Sequence, residues 1–93
     1  MVDVSAKTST ERAATASAVV RMSRTAIDAV VSRRTKKGDP LAVAELAGVM
    51  GAKRTPDLIP LCHPLPLAAV FVEGTPDLAA CLVRLRATVR TTG

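Results

Sequence analysis

The segment LAACLVRLRATVRT, residues 78–91, carries the clearest periodicity in the chain. From Cys81 to Val89 every second residue is apolar. The positions between and after them include three arginines, which are Arg84, Arg86 and Arg90. Alternation with a period of two is typical of a β-strand that buries one face. The segment therefore predicts a strand with an apolar face toward a core and a mostly basic face away from it.

Two further strands are predicted from shorter apolar runs. LAAVFVE, residues 67–73, precedes the GTPD sequence, and residues 73–78 are predicted to form the connection of a hairpin. SAVVRMS, residues 17–23, predicts a short strand upstream. The alanine-rich sequence before it shows no clear period.

A first helix is predicted over residues 24–34. Ser23 is a suitable N-cap because its side-chain oxygen can accept a hydrogen bond from a free amide of the first turn. Cations follow at the carboxyl end, where they complement the helix dipole. Gly38 is the predicted stop signal.

A second helix is predicted over residues 40–53. Asp39 is its predicted N-cap, and Pro40 occupies the first helical position. Proline is tolerated there because an amide hydrogen at that position has no partner within the helix. Gly48 and Gly51 weaken a helix, so we expect them to permit close packing against another element. The helix places four apolar residues together, and these are Val43, Leu46, Ala47 and Met50.

The predicted order is strand, helix, helix, loop, strand, strand. It indicates an α+β fold in which helices cover one side of an antiparallel sheet. A chain of 93 residues is long enough for a single domain.

The net charge of +5 and the isoelectric point near 10 predict an anionic partner. A polyphosphate and a nucleic acid both fit, and the basic strand face keeps a nucleic-acid-binding module open as an alternative. Phe71 is the only aromatic residue, which argues against a protein that stacks single-stranded bases. No apolar run approaches the roughly 18–20 residues of a membrane span, and no signal peptide is recognisable. We therefore expect a cytoplasmic protein with reduced thiols.

The segment KRTPDLIPLCHPLPL, residues 53–67, contains the only histidine, one of two cysteines and four of six prolines. Proline fixes its own φ angle and restricts the residue before it, so the backbone around Cys62 and His63 should be stiff and extended. Such stiffness suits a preorganised site. A structural histidine and a small buried cysteine remain alternatives. No second ligand pair completes a metal site, so no metal is expected.

Cationic residues cluster at two places in the sequence. Lys37 follows Arg33, Arg34 and Lys36, and Lys53 precedes Arg54. Each cluster is either a solvated helix end or part of an anion site. Composition and spacing alone predict a basic, phosphate-binding α+β domain.

Four segments together make a more specific pattern: MVDVSAK (1–7), KKGD (36–39), AKRTPDLIPLCHPL (52–65) and TTG (91–93). This pattern resembles the cyclic pyranopterin monophosphate synthases, the protein C family of molybdenum cofactor biosynthesis. The resemblance implies a lyase that converts 3′,8-cyclo-7,8-dihydro-GTP to cyclic pyranopterin monophosphate and releases pyrophosphate. It also implies a ferredoxin-like fold and a homohexamer, a trimer of dimers, with active sites at subunit interfaces. No metal or organic cofactor is implied.

Residue roles carry over by motif. Lys37 matches a catalytic lysine and Lys53 a second active-site lysine. Arg12 matches a basic position that reaches a phosphate, and Lys7 matches another N-terminal basic position. The substrate-binding stretch corresponds to Leu61, Cys62 and His63.

The resemblance covers roughly the first three-fifths of the family pattern. Family members continue past TTG into a segment and a long helix that carry the acidic general acid/base, then a closing strand. On this basis we expect a single domain, truncated relative to the family by its C-terminal helix and strand, and 93 residues alone are not expected to turn over substrate. If the protein instead continues beyond residue 93, the expectation of an active enzyme stands. A non-catalytic fragment that only assembles with intact subunits is a further alternative.

Overall fold

The computed structural model describes residues 11–58 and 67–92. Three strands and three helices occur in these ranges. In chain order they are β1 (Glu11–Arg21), α1 (Arg24–Ser32), α2 (Pro40–Lys53), α3 (Thr55–Leu58), β2 (Leu67–Asp77) and β3 (Leu82–Thr92).

The strands form one antiparallel sheet in the order β1-β3-β2. The periodic strand of the sequence is thus the central one, hydrogen-bonded on both sides, and the sheet edges are β1 and β2. Both α1 and α2 pack against β2. An α+β, ferredoxin-like arrangement with helices on one side of an antiparallel sheet is confirmed.

The first strand is longer than its pattern predicted. It begins at Glu11 and ends at Arg21, rather than covering residues 17–23. Alanine has little intrinsic preference for strands, so the sequence here gives a weak signal. The strand forms because its backbone pairs with β3 along its whole length, from Glu11 opposite Thr92 to Arg21 opposite Leu82.

The hairpin is confirmed, but the predicted connection at residues 73–78 is wrong. β2 continues through Asp77, and residues 78–81 make the connection. Gly74 lies inside the strand, where an added Cβ would come within 3.1 Å of the Leu41 side chain of α2. The glycine thus permits close packing of helix on strand. Cys81 has a φ of 53° and belongs to the connection, not to β3.

The central strand alternates largely as predicted. Val83 is buried and Leu85 is half-buried, whereas Arg84 and Arg86 are exposed. Leu82 is an exception, since it occupies the predicted basic face but is only 4% exposed. The apolar core itself lies toward this end of the sheet and centres on Ile27, Leu41 and Val83.

Ser23 caps α1 as predicted, since its hydroxyl accepts a hydrogen bond from the Ala26 amide at 3.1 Å. The helix ends at Ser32, however, and not near Gly38. Arg33 adopts a left-handed φ of 58° and its amide donates to the Val30 carbonyl, which terminates the helix. Gly38 instead closes a short turn before α2.

The boundaries of α2 and its N-cap are as predicted, with Asp39 accepting hydrogen bonds from the Leu41 and Ala42 amides. Its buried face differs from the apolar group seen in the sequence. Leu41 is buried and Gly48 is half-buried against β2, where a Cβ on Gly48 would meet Val72 at 2.8 Å. The grouped apolar residues point outward and are all exposed, namely Val43, Leu46, Ala47 and Met50. No helix in the described ranges is long and apolar enough to cross a membrane.

Candidate functional site

A cavity of about 390 Å³ lies where the end of α2 meets one end of the sheet. Strand register explains the meeting point: Arg12 of β1 and Leu67 of β2 both stand opposite Thr91 of β3. Three strands therefore present neighbouring residues at one edge of the cavity. Described residues that line it are Arg12, Ala13, Ala14, Ala52, Lys53, Thr55, Pro56, Leu67, Val89 and Thr91.

Two predicted site residues, Arg12 and Lys53, line this cavity together. Arg12 is the second residue of β1, and Lys53 is the last residue of α2. Both side chains are exposed. The helix carries Lys53 over the sheet because the preceding turns of α2 pack on β2, with Gly48 against Val72. Two cations that are distant in sequence thus face one space.

The rest of the lining is mostly apolar. Alanine at positions 13, 14 and 52 leaves room, and Val89 and Leu67 supply aliphatic walls. Thr55 and Thr91 add hydroxyl groups, although Thr55 already donates to the Gly51 carbonyl at 3.2 Å. Cavities of this size with apolar walls and a few cations or hydroxyls suit a small organic molecule that carries anionic groups.

The third predicted cation, Lys37, lies elsewhere. It is exposed in the turn that precedes α2, whereas Lys53 ends that helix. Since α2 has 14 residues, its two ends are roughly 20 Å apart at about 1.5 Å per residue. One chain therefore brings Arg12 and Lys53 together but does not bring Lys37 to them. The predicted substrate-binding residues Leu61, Cys62 and His63, and also Lys7, lie outside the described ranges.

Asp39, next to the Lys37 turn, is held as a carboxylate. Desolvation works to raise the pKa of Asp39, but hydrogen bonds from Arg33 and from the Ala42 and Leu41 amides outweigh it and lower that pKa. Arg33 Nε donates to Asp39 Oδ2 at 2.8 Å. The ion pair therefore links the end of α1 to the start of α2.

The predicted basic face of β3 is partly neutralised. Arg84 pairs with Asp77 at 2.9 Å, and Arg90 pairs with Glu11 at 3.7 Å. Arg86 stands opposite Glu73 in the strand register. Acidic residues of both neighbouring strands thus balance the arginines, which weakens the nucleic-acid-binding alternative.

Reasoning from sequence missed Thr91, Thr55 and the alanines of the cavity. Thr91 opens the TTG motif and Thr55 lies in the motif of residues 52–65, but neither motif assigned its threonine to the site, because each acquires its place through strand pairing or helix packing. The register of β1 on β3, had it been known, would have placed Thr91 beside Arg12.

Comparison with known proteins gives a consistent result. The MoaC family model matches residues 1–93. A cyclic pyranopterin monophosphate synthase from Rhodospirillum rubrum is 64% identical over 77 residues, which cover 83% of this chain and 46% of that protein. The synthase of Dinoroseobacter shibae is 55% identical over 93 residues, covering 100% of this chain and 59% of its own.

A synthase of the same name from Nostoc sp. is 54% identical over 91 residues, covering 98% of this chain and 54% of that protein. The chain thus spans about half to three-fifths of the length of these relatives. Similarity at this level over the whole chain, together with the family match, establishes kinship: the chain belongs to the MoaC family.

Proposed function

We propose that this protein acts in molybdenum cofactor biosynthesis as a lyase. Its substrate is 3′,8-cyclo-7,8-dihydro-GTP, and its products are cyclic pyranopterin monophosphate and pyrophosphate. One observation carries the proposal beyond the names of the relatives: Arg12 and Lys53 face a single cavity whose other walls are mostly apolar. A substrate that combines a ring system with a triphosphate has one part to pack on the aliphatic walls and an anionic part to meet the two cations.

Arg12 and Lys53 have a direct electrostatic role in this proposal. The cyclic phosphate forms when a substrate oxygen attacks the innermost phosphorus and the bond to pyrophosphate breaks. Negative charge then grows on the leaving oxygens. Fixed cations at that place stabilise the transition state more than the ground state. The guanidinium of Arg12 can also hold two phosphate oxygens at once.

Lys37 is proposed as the catalytic lysine that transfers a proton during the ring rearrangement. Because it lies at the far end of α2 from Lys53, we propose that a second copy of the chain supplies it to each site. A homohexamer with active sites between subunits provides such a second copy. We propose that the substrate is contacted by Leu61, Cys62 and His63. We also propose that the protein works in the cytoplasm.

The test is to incubate the natural full-length protein with 3′,8-cyclo-7,8-dihydro-GTP and measure pyrophosphate and the pterin product. Turnover is the expected result, and an inactive full-length protein rejects the assignment. Arg12→Gln should lower kcat/KM by about a hundredfold, the usual order for one lost stabilising group. Arg21→Gln is the matched control, since Arg21 is an exposed arginine at the opposite end of β1. Equal losses of kcat/KM in the two variants would contradict a specific role for the cavity in the reaction.

A further inference from the structure

Thr35 occupies a position that bears directly on Lys37, two residues later. We propose that the Thr35 hydroxyl is a positioning group that holds the Lys37 backbone in place for proton transfer. This inference rests on the proposed function, since it gives Lys37 the catalytic role stated there. Its structural part, the dependence of the turn on Thr35, is testable separately.

The turn is closed by a symmetric pair of backbone bonds. The Thr35 amide donates to the Gly38 carbonyl at 3.0 Å, and the Gly38 amide donates to the Thr35 carbonyl at 3.0 Å. Lys36 and Lys37 therefore form the two-residue tip of a tight turn. Gly38 has a φ of 104°, a conformation that side-chain-bearing residues rarely adopt. The backbone path through Lys37 is thus defined by its neighbours.

The Thr35 side chain adds a second set of contacts inside this turn. Its Oγ1 donates to the Gly38 carbonyl at 2.7 Å and accepts from the Lys37 amide at 3.3 Å. The hydroxyl thus uses its single proton in the bond to Gly38 and a lone pair in the bond from Lys37. Lys37 matches a catalytic lysine of the family, and its backbone amide is one of the two groups that the Thr35 hydroxyl contacts.

The base of the turn is fixed as well. Arg33 is held in a left-handed conformation at the end of α1, and its side chain pairs with Asp39 at 2.8 Å. Asp39 in turn caps α2 through the Leu41 amide at 3.0 Å. The connection between two helices is therefore tied at its base by an ion pair and at its tip by Thr35.

Such ordering matters because a lysine side chain is long and flexible. An exposed turn without side-chain bonds would let the Lys37 backbone move, and the ammonium would move with it. A displacement of about 1 Å at a reacting group can cost a hundredfold in rate. Thr35 reduces this freedom at the backbone while it leaves the ammonium free to meet the substrate.

The experiment compares Thr35→Val with Thr35→Ser in the natural full-length protein. Valine keeps the shape and removes both hydrogen bonds, whereas serine keeps the hydroxyl. We expect Thr35→Val to lower kcat by about tenfold to a hundredfold with little change in KM, and Thr35→Ser to restore most of kcat. Thr25→Val is the control, since Thr25 is an exposed threonine on α1 and no hydrogen bond of its side chain is recorded within the described ranges.

Hydrogen exchange of the Lys37 amide supplies a readout independent of turnover. Exchange should accelerate in Thr35→Val and remain as in the wild type in Thr25→Val. Normal kcat in Thr35→Val, or a loss that serine does not restore, overturns the positioning role. If the wild-type protein is inactive, the proposed function fails, and the positioning role falls with it. Accelerated exchange would then show that Thr35 still orders the turn, whereas unchanged exchange would refute the structural part too.

Discussion

At the scale of single residues, Asp77 illustrates how one carboxylate organises the connection between β2 and β3. Its Oδ2 accepts from Arg84 at 2.9 Å and its Oδ1 accepts from the Ala80 amide at 3.0 Å. The sequence GTPD suggested a turn that began earlier, because glycine, proline and aspartate usually mark turns. The aspartate does shape the turn, but as the last residue of the strand before it.

These contacts make the contribution of Asp77 to stability depend on pH. The hydrogen bond from Arg84, followed by that from the Ala80 amide, lowers the pKa of Asp77 below its ordinary value of 3.8. A lowered folded-state pKa gives stability that is present above pH 3.8 and lost as the pH falls through the folded-state value. Asp77→Asn should therefore reduce the free energy of unfolding at pH 7, and this reduction should shrink in acid.

Urea unfolding of wild type and variant at several pH values between neutral and about 3 measures this difference. Asp57→Asn is a suitable control, because Asp57 is exposed on α3 and no side-chain bond is recorded for it within the described residues. A gap between Asp77→Asn and wild type that stays constant with pH would contradict the ion-pair explanation.

At the scale of elements, the sequence predicted which helices and strands exist better than it predicted their ends and faces. Caps are local, so Ser23 and Asp39 located the starts of α1 and α2 correctly, whereas the short helix α3 was not predicted. The buried face of α2 is set by what lies beneath it. Leu41 and Gly48 meet β2, and the Gly74 amide donates to the Glu45 carboxylate at 3.1 Å. A pattern that counts apolar residues alone selects the opposite face.

The two glycines of α2 give a prediction with an internal control. A Cβ on Gly48 would come within 2.8 Å of Val72 Cγ1, whereas one on Gly51 would meet nothing within 4 Å. Gly48→Ala should lower the free energy of unfolding by about 1–3 kcal/mol, since overpacking forces side chains or backbone to shift. Gly51→Ala should raise it by up to about 1 kcal/mol through helix propensity.

Thermal or urea unfolding of both variants decides the matter. The expectation that both glycines permit close packing is supported by the contacts at Gly48 alone. Equal shifts of the same sign in the two alanine variants would show that propensity, and not the contact with Val72, governs this helix.

At the scale of the whole molecule, the important feature is that the predicted site residues within the described ranges lie in two separate places. Sequence spacing could not predict that Arg12 and Lys53 share a cavity, because their meeting depends on the register of β1 on β3 and on the packing of α2. Resemblance to a family supplied those residues together with Lys37. The fold then divides them, with Lys37 before α2 and Lys53 at its end. Under the proposed function, a site that uses all three groups would therefore draw them from two chains.

This separation leads to a complementation experiment on the full-length protein. Lys37→Ala and Lys53→Ala should each abolish turnover when expressed alone. If one subunit supplies Lys37 and its neighbour supplies Lys53, coexpression of the two variants creates some sites with both lysines intact. Random assembly of equal amounts makes about a quarter of the sites intact, so activity should return to about a quarter of the wild-type value.

A site within one chain gives the opposite result, because every chain in the mixture then lacks one lysine and activity stays absent. The double variant Lys37→Ala/Lys53→Ala coexpressed with Lys37→Ala is the matched control, since no Lys37 is present and no site can be restored. Recovery in the first mixture and none in the second can arise only when the two lysines of one site belong to different chains. That outcome would also give the exposed position of Lys37 its physical reason: the residue lies before α2, at the other end of the helix from its own chain's cavity, and would serve the cavity of a neighbouring chain.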